Sequence, residues 1–294
     1  MPPLIEVARA KVNLTLRVHG RRTDGYHDIE SLVAFADCAD TLTLALAPDL
    51  QLTTSGPRAQ DCGEGADNLV IRAALALGER IKGLKAGHFT LEKHLPVAAG
   101  IGGGSADAAA ALRLLARANG IDPGDPRMVD VARETGADIP VCLASRACTM
   151  TGVGERLAFL MLPKLPCVMV NPRTAVATKD VFAALGLLHG ELLAGPVDVV
   201  QSRDWPGPEA AFDEWLRAIA EGTNDLEPPA IKVEPIVGDV LAALRATPGI
   251  GLARMSGSGA TCFGIFENAD DAGQAAKTIA QTNPDWWVHA GTLS

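Results

Sequence analysis

The chain has 294 residues, 48% of them hydrophobic, with 35 acidic against 26 basic side chains and a formal charge of −9. An acidic chain without a basic run argues against nucleic acid as a partner, although local backbone groups can still hold small anions. No stretch approaches the roughly 18 consecutive apolar residues of a membrane span, and the opening MPPLIEVARAKVNLTL lacks the basic-then-apolar layout of a signal peptide, so a cytoplasmic protein is expected.

In chain order, residues 12–18 alternate apolar and polar and read as a strand, followed by an Asp24-Gly25 turn signal. SLVAFADC and DTLTLALA read as two further strands, and residues 51–67 as a polar, Gly-rich loop. Helical spacing then predicts a helix beginning near Leu69, capped by Asp67 or Asn68. GHFTLEKHLP reads as a strand leading into LPVAAGIGGGSADAAAALRLLARANG, where a helix is expected over 105–119, ended by Gly120. A short helix, a Gly-Ala-Asp turn, another apolar piece and a strand pair in RACTMTGVGERLAFL follow.

The second half begins with a strand at LPCVMVNP. Helices are expected near 178–188, 208–220 and 235–246, then GLARMSGSGATCFGIFE, a helix over 270–282 and a last strand at 286–290. Strands dominate early and helices are segregated, which favours α+β over a doubly wound sheet.

The six cysteines form no C-x-x-C pair and several lie in apolar surroundings, which predicts buried, reduced thiols. The six histidines lack zinc-site spacing.

The glycine cluster before an Ala-rich helix carries the chemistry. Glycine lets backbone N–H groups approach a ligand closely, and a helix N-terminus adds unpaired donors and the positive end of its dipole. Together they suit a phosphate. The stretch is neither a Walker A loop, since no Gly-Lys-Ser/Thr follows, nor G-x-G-x-x-G, since Ser105 occupies the sixth position.

PVAAGIGGGSADAAAA resembles the P-x-x-x-G-L-G-G-S-S signature of the GHMP kinase superfamily, which phosphorylates small-molecule alcohols. Residues 8–32 (ARAKVNLTLRVHGRRTDGYHDIESL) and 254–266 (RMSGSGATCFGIF) resemble motifs of the same family, in the same order, so the likeness covers essentially the whole chain. Ile101 and Ala106 depart from the signature without removing a backbone donor.

The resemblance implies a two-lobed α+β GHMP kinase fold. A ribosomal-protein-S5-like α/β lobe would span residues 1–158 as the ATP-binding domain, a C-terminal α+β lobe 159–294, with the active site between them. It implies ATP as co-substrate with Mg²⁺, a small-molecule alcohol as substrate, and a monomer or homodimer.

The resemblance makes Lys11 and Asp138 the catalytic residues, the carboxylate as general base and the ammonium holding it ionised. By themselves, Lys11 reads as an exposed strand lysine and Asp138 as a helix cap. For ATP it implies Pro96, Val97, Ala98, Ala99, Gly100, Ile101, Gly102, Gly103, Gly104, Ser105 and Ala106, with Asn68 and Lys93 as further candidates; capping competes as the role of Asn68.

Tyr26 and His27 would hold a cytosine of the substrate, and Asn13, Thr178, Ser256 and Gly257 would complete the substrate side. The 256–260 loop also reads as a tight turn between strands. DGYHDIESL argues against a mevalonate- or homoserine-type kinase of the same family. Lys11 together with Asp138 argues against a non-catalytic nucleotide-binding protein.

Overall fold

The computed structural model describes residues 2–63, 65–193 and 204–294, which hold eleven strands and nine α-helices. The chain packs into two compact units that interleave along the sequence.

One unit comprises Met1–Lys11, Cys38–Val97 and Gly102–Ser145. Within it β4 (Gln51–Ser55) runs parallel to β5 (Gly87–Glu92), and β5 pairs antiparallel with the second half of β3 (His27–Leu46). A parallel pair needs a crossover, supplied by α1 (Leu69–Arg80). Asn68 caps that helix by accepting from Val70 N at 3.0 Å. Helix α2 (Gly103–Asn119) packs against α1 and against α4 (Ile139–Ala144), and α3 (Pro126–Thr135) packs on α1 and α4. Ala108, Ala109, Ala110 and Ala111 are all fully buried. Arg113 of α2 ties this helix to α4 and β1 (Leu4–Asn13), donating to Cys142 O and to Val7 O, with Glu6 as its ionic partner.

The other unit comprises Val12–Asp37, Ala98–Ile101 and Arg146–Ser294. Here β2 (Arg17–Arg21) and β6 (Cys148–Gly152) flank the first half of β3, and β6 forms a hairpin with β7 (Arg156–Phe159). A second run of antiparallel strands follows in the order β11 (Trp287–Leu293), β8 (Leu165–Asn171), β10 (Cys262–Phe266) and β9 (Ile250–Met255). Helix α5 (Thr178–Ala184) packs on α7 (Glu227–Val233), α6 (Phe212–Ala220) on β9, and α8 (Ile236–Arg245) and α9 (Ala269–Thr282) on the strands. Val168, Val170, Leu241, Phe266 and Ile279 are among its buried core.

The α+β class expected from segregated elements is the class found, with several local differences. The two strands expected around Asp40 are one strand of 20 residues. Asp40, expected as the first residue of the second of them, is fully buried within that single strand, because its carboxylate accepts from His94 N, Leu95 N and Lys93 Nζ. Part of the expected loop over 51–67 is strand β4. Helix α7 was not expected across Pro228 and Pro229. Both prolines lie in its first turn, where the missing N–H groups have no helical partner to lose. No cysteine is paired with another; Cys142, Cys148, Cys167 and Cys262 are buried, whereas Cys38 and Cys62 are only partly so.

Candidate active site

In the first unit the glycine loop delivers the chain into α2. The helix begins at Gly103, two residues earlier than expected, with Gly102 as its N-cap at φ +63°. Its first helical hydrogen bond runs from Ala106 N to Gly102 O. The amides of Gly103, Gly104 and Ser105 precede that bond at the positive end of the dipole, an arrangement suited to phosphate oxygens. A Cβ at Gly102 would lie 3.3 Å from Lys11 Cβ and 3.5 Å from Lys11 Cε, so the helix N-terminus rests directly on the lysine stem.

Lys11 donates from Nζ to Asp138 Oδ1 at 2.9 Å. Asp138 stands at the N-cap position of α4, yet its side chain caps nothing. The alternative role as a helix cap is therefore not the one adopted, and the 4% exposure of Lys11 removes its reading as an exposed strand residue. A buried ammonium against a half-open carboxylate is a pair suited to handling a proton beside an anion. Behind it, the Cys142 thiol is pushed up to about 12 by burial and by the charge of Asp138, which keeps it protonated and inert.

Lys93 is 2% exposed and holds Asp40 Oδ2 at 2.5 Å and Asp107 Oδ2 at 2.6 Å. Its charge is committed to those carboxylates, which makes it a brace beneath the loop; a Cβ at Gly103 would lie 3.3 Å from its Nζ. Burial draws Lys93 down, but Asp107 and Asp40 more than offset this and its pKa is raised. Burial lifts Asp107 to about 7 against the pull of Lys93, with the charge of Asp40 adding to the rise. Asn68 spends its carboxamide on Val70 N and Gly63 O. Pro96 is buried and Val97 is 38% exposed.

In the second unit Ala98–Ile101 packs on the 256–260 turn between β9 and β10. Ala98 adopts φ +51° and Gly100 φ +73°. Ala99 O accepts from Thr261 N, and Ile101 is fully buried. Ser256 Oγ donates to Gly100 O at 3.0 Å and accepts from Asn13 N at 3.1 Å. Asn13 Nδ2 donates to Ser31 Oγ at 2.7 Å, while Asn13 Oδ1 is buried without a partner. Gly257 lies beside it: a Cβ there would sit 3.2 Å from that oxygen. Thr178, the first residue of α5, shares a hydroxyl hydrogen bond with Ser258 at 2.9 Å.

The β2–β3 hairpin carries Tyr26, 61% exposed, and His27. His27 stacks on Phe182 with ring centroids 4.4 Å apart, and its Nε2 is buried without a partner. Burial, and then the Arg21 charge, lower its pKa, so the ring is neutral at pH 7 with one donor and one acceptor nitrogen.

The sequence reading missed Asp40, Asp107 and Phe182. Asp107 lies one helical turn after Gly103, and Phe182 four residues after Thr178, so helical spacing could have placed each on the face of a residue already singled out. Among the described residues no group of three His, Cys, Asp or Glu could hold a metal ion, and no helix is long and apolar enough to cross a membrane.

Residues 68–146 match the family model for the GHMP kinase N-terminal domain, and residues 209–285 match that for the GHMP kinase C-terminal domain. The chain is 66% identical over 291 residues to the 4-diphosphocytidyl-2-C-methyl-D-erythritol kinase of Nitrobacter hamburgensis, covering 99% of this chain and 96% of that protein. It is 64% identical over 294 residues to the enzyme of the same name from Rhodopseudomonas palustris strain BisB5, covering 100% of both. A crystal structure of 4-(cytidine 5'-diphospho)-2C-methyl-D-erythritol kinase superposes with a TM-score of 0.75 at 35% identity, covering 99% of each chain. A homoserine kinase from Cytophaga hutchinsonii shares the fold, at a TM-score of 0.71 and 17% identity over 100% of this chain and 95% of that one.

Proposed function

The chain belongs to the GHMP kinase family, among its 4-diphosphocytidyl-2-C-methyl-D-erythritol kinases, and from that membership we infer how its residues divide the work of an ATP-dependent small-molecule kinase. The reaction transfers the γ-phosphoryl group of ATP to the 2-hydroxyl of 4-diphosphocytidyl-2-C-methyl-D-erythritol, giving the 2-phosphate and ADP. It is a step of the methylerythritol phosphate route to isoprenoid precursors.

Phosphoryl transfer needs positioning, charge neutralisation and a destination for the hydroxyl proton. One observation carries the assignment: the Lys11–Asp138 pair lies under the N-terminus of α2, with Gly102 resting on the lysine stem. The loop over 96–106 cradles the phosphates, with the amides of Gly103, Gly104 and Ser105 at the helix N-terminus as donors. Asp138 takes the proton of the acceptor hydroxyl, and Lys11 keeps that carboxylate ionised and faces the charge of the moving phosphoryl group. Lys93 acts on the nucleotide through the loop that it braces, and Asn68 acts through the cap of α1. Asn13, Thr178, Ser256 and Gly257 bound the alcohol.

Tyr26 offers an open aromatic face to cytosine, His27 a neutral ring nitrogen to its edge, and Phe182 a second aromatic surface. Mg²⁺ bound to ATP would be held by the phosphate oxygens and water and would spread the phosphate charge. We further propose an N-terminal domain over 1–158 and a C-terminal one over 159–294, since the two family matches fall on either side of that boundary. A cytoplasmic location and a monomeric or homodimeric state complete the proposal.

The test is ADP release by the purified protein with ATP, Mg²⁺ and the cytidyl alcohol, with mevalonate and homoserine in parallel. Turnover of the cytidyl alcohol alone is expected. Turnover of another alcohol alone overturns the roles of Tyr26 and His27.

A further inference from the structure

The segment that leads into α7 ties two parts of the second unit together. Leu16 N donates to Thr223 O at 2.7 Å, and Asp225 N donates to Leu16 O at 2.8 Å. Val18 N donates to Asp225 Oδ2 at 2.8 Å. From the same segment Asn224, 5% exposed, reaches the turn after β9. Its Nδ2 donates to both Met255 O and Gly257 O, each at 2.8 Å, and its Oδ1 accepts from Leu226 N. Glu227 Oε2 accepts from Met255 N at 2.9 Å.

Both amide hydrogens of Asn224 are therefore spent on carbonyls that bracket Ser256. Ser256 in turn holds Asn13 N and Gly100 O, and Gly257 adopts φ +55° beside the unpartnered Asn13 Oδ1. Only a carboxamide suits this place. A carboxylate would set negative charge against two carbonyl oxygens, and an apolar side chain would leave both carbonyls buried and unpaired, the costly case for a hydrogen bond.

We propose that Asn224 is a positioning residue for the phosphotransfer reaction: its carboxamide sets the Ser256–Gly257 turn so that Asn13 Oδ1 stays free for the alcohol substrate. This rests on the reading of Asn13 as a substrate-binding residue. The nucleotide side depends on it less, because Thr261 N holds Ala99 O independently of Asn224.

The test is steady-state kinetics of Asn224→Ala and Asn224→Ser, with Asn13→Ala and Glu227→Gln alongside and unfolding curves for each. Loss of the brace should raise KM for the cytidyl alcohol about tenfold in Asn224→Ala, the scale of losing one to two buried hydrogen bonds, while KM for ATP moves less than about threefold. Asn224→Ser, which keeps one donor, should fall between Asn224→Ala and the wild type. Glu227→Gln, which keeps an acceptor for Met255 N, should behave as the wild type.

An unchanged alcohol KM in folded Asn224→Ala, with a raised one in Asn13→Ala, overturns this inference alone. An unchanged alcohol KM in Asn13→Ala overturns the reading beneath it. Parallel rises in both KM values, or failure of both Asn224 variants to fold, would assign the residue to general stability and overturn the proposal.

Discussion

Lys11 Nζ lies 2.9 Å from Asp138 Oδ1, with the lysine side chain 4% exposed and the aspartate side chain 38%. The cation is enclosed and the anion is open, so the pair has one face on which to receive a hydroxyl. Asp138→Asn and Lys11→Met should each lower kcat by about 10²- to 10⁴-fold, the range for a positioned acid–base group, with KM for ATP little changed. Because the two groups act as a unit, the double variant should lose little beyond the worse single one. Near-normal turnover by Asp138→Asn would remove it as the base.

The proposed cytosine site sets Tyr26 beside the stacked rings of His27 and Phe182. Tyr26→Ala and Phe182→Ala should each raise KM for the cytidyl alcohol about fivefold to a hundredfold, from a base-stacking contribution of about 1–3 kcal/mol. KM for ATP should hold steady. Equal effects on both substrates would exclude a cytosine platform.

Gly100 and Gly120 both take positive φ, at +73° and +64°, in very different surroundings. A Cβ at Gly100 would meet Ser256 O at 2.5 Å and Gly259 O at 2.7 Å, whereas Gly120 has nothing within 4 Å. Gly120→Ala should cost only the left-handed backbone penalty of about 1–2 kcal/mol. Gly100→Ala should cost clearly more in an unfolding titration and also raise KM for ATP, since backbone rather than a flexible side chain must move.

Burial pushes the Asp107 carboxyl from the ordinary 3.8 up to about 7, against the pull of Lys93. A raised pKa means that the folded state binds the proton more tightly. Its stability contribution is full below about pH 4 and is lost as pH rises through 7. Asp107→Asn, which cannot titrate, should therefore gain on the wild type as pH rises from about 4 to 7. Denaturant unfolding at four pH values measures this; a constant difference would mean that the Asp40–Lys93–Asp107 cluster, with the Cys62 thiol near it, is electrostatically balanced without proton uptake.

Much of the fold was legible because local signals agreed with packing. Asn68 and Gly120 mark helix ends in the sequence and cap them in the structure. The glycine loop announced itself because no ordinary turn needs four glycines in five residues. Asp40 misled because a buried charge looks like a strand end until its partners, some 50 residues further on, are in view. Asn224 stayed silent for the same reason: a carboxamide reaching 31 residues ahead is a relation between elements, which no local pattern carries.

The four successive buried alanines of α2 leave that stretch of helix without a solvent face. A single added methylene at residues 108–111 has nowhere to go but into the helix's own placement. The stretch with the simplest side chains is thus one with little room for any larger residue.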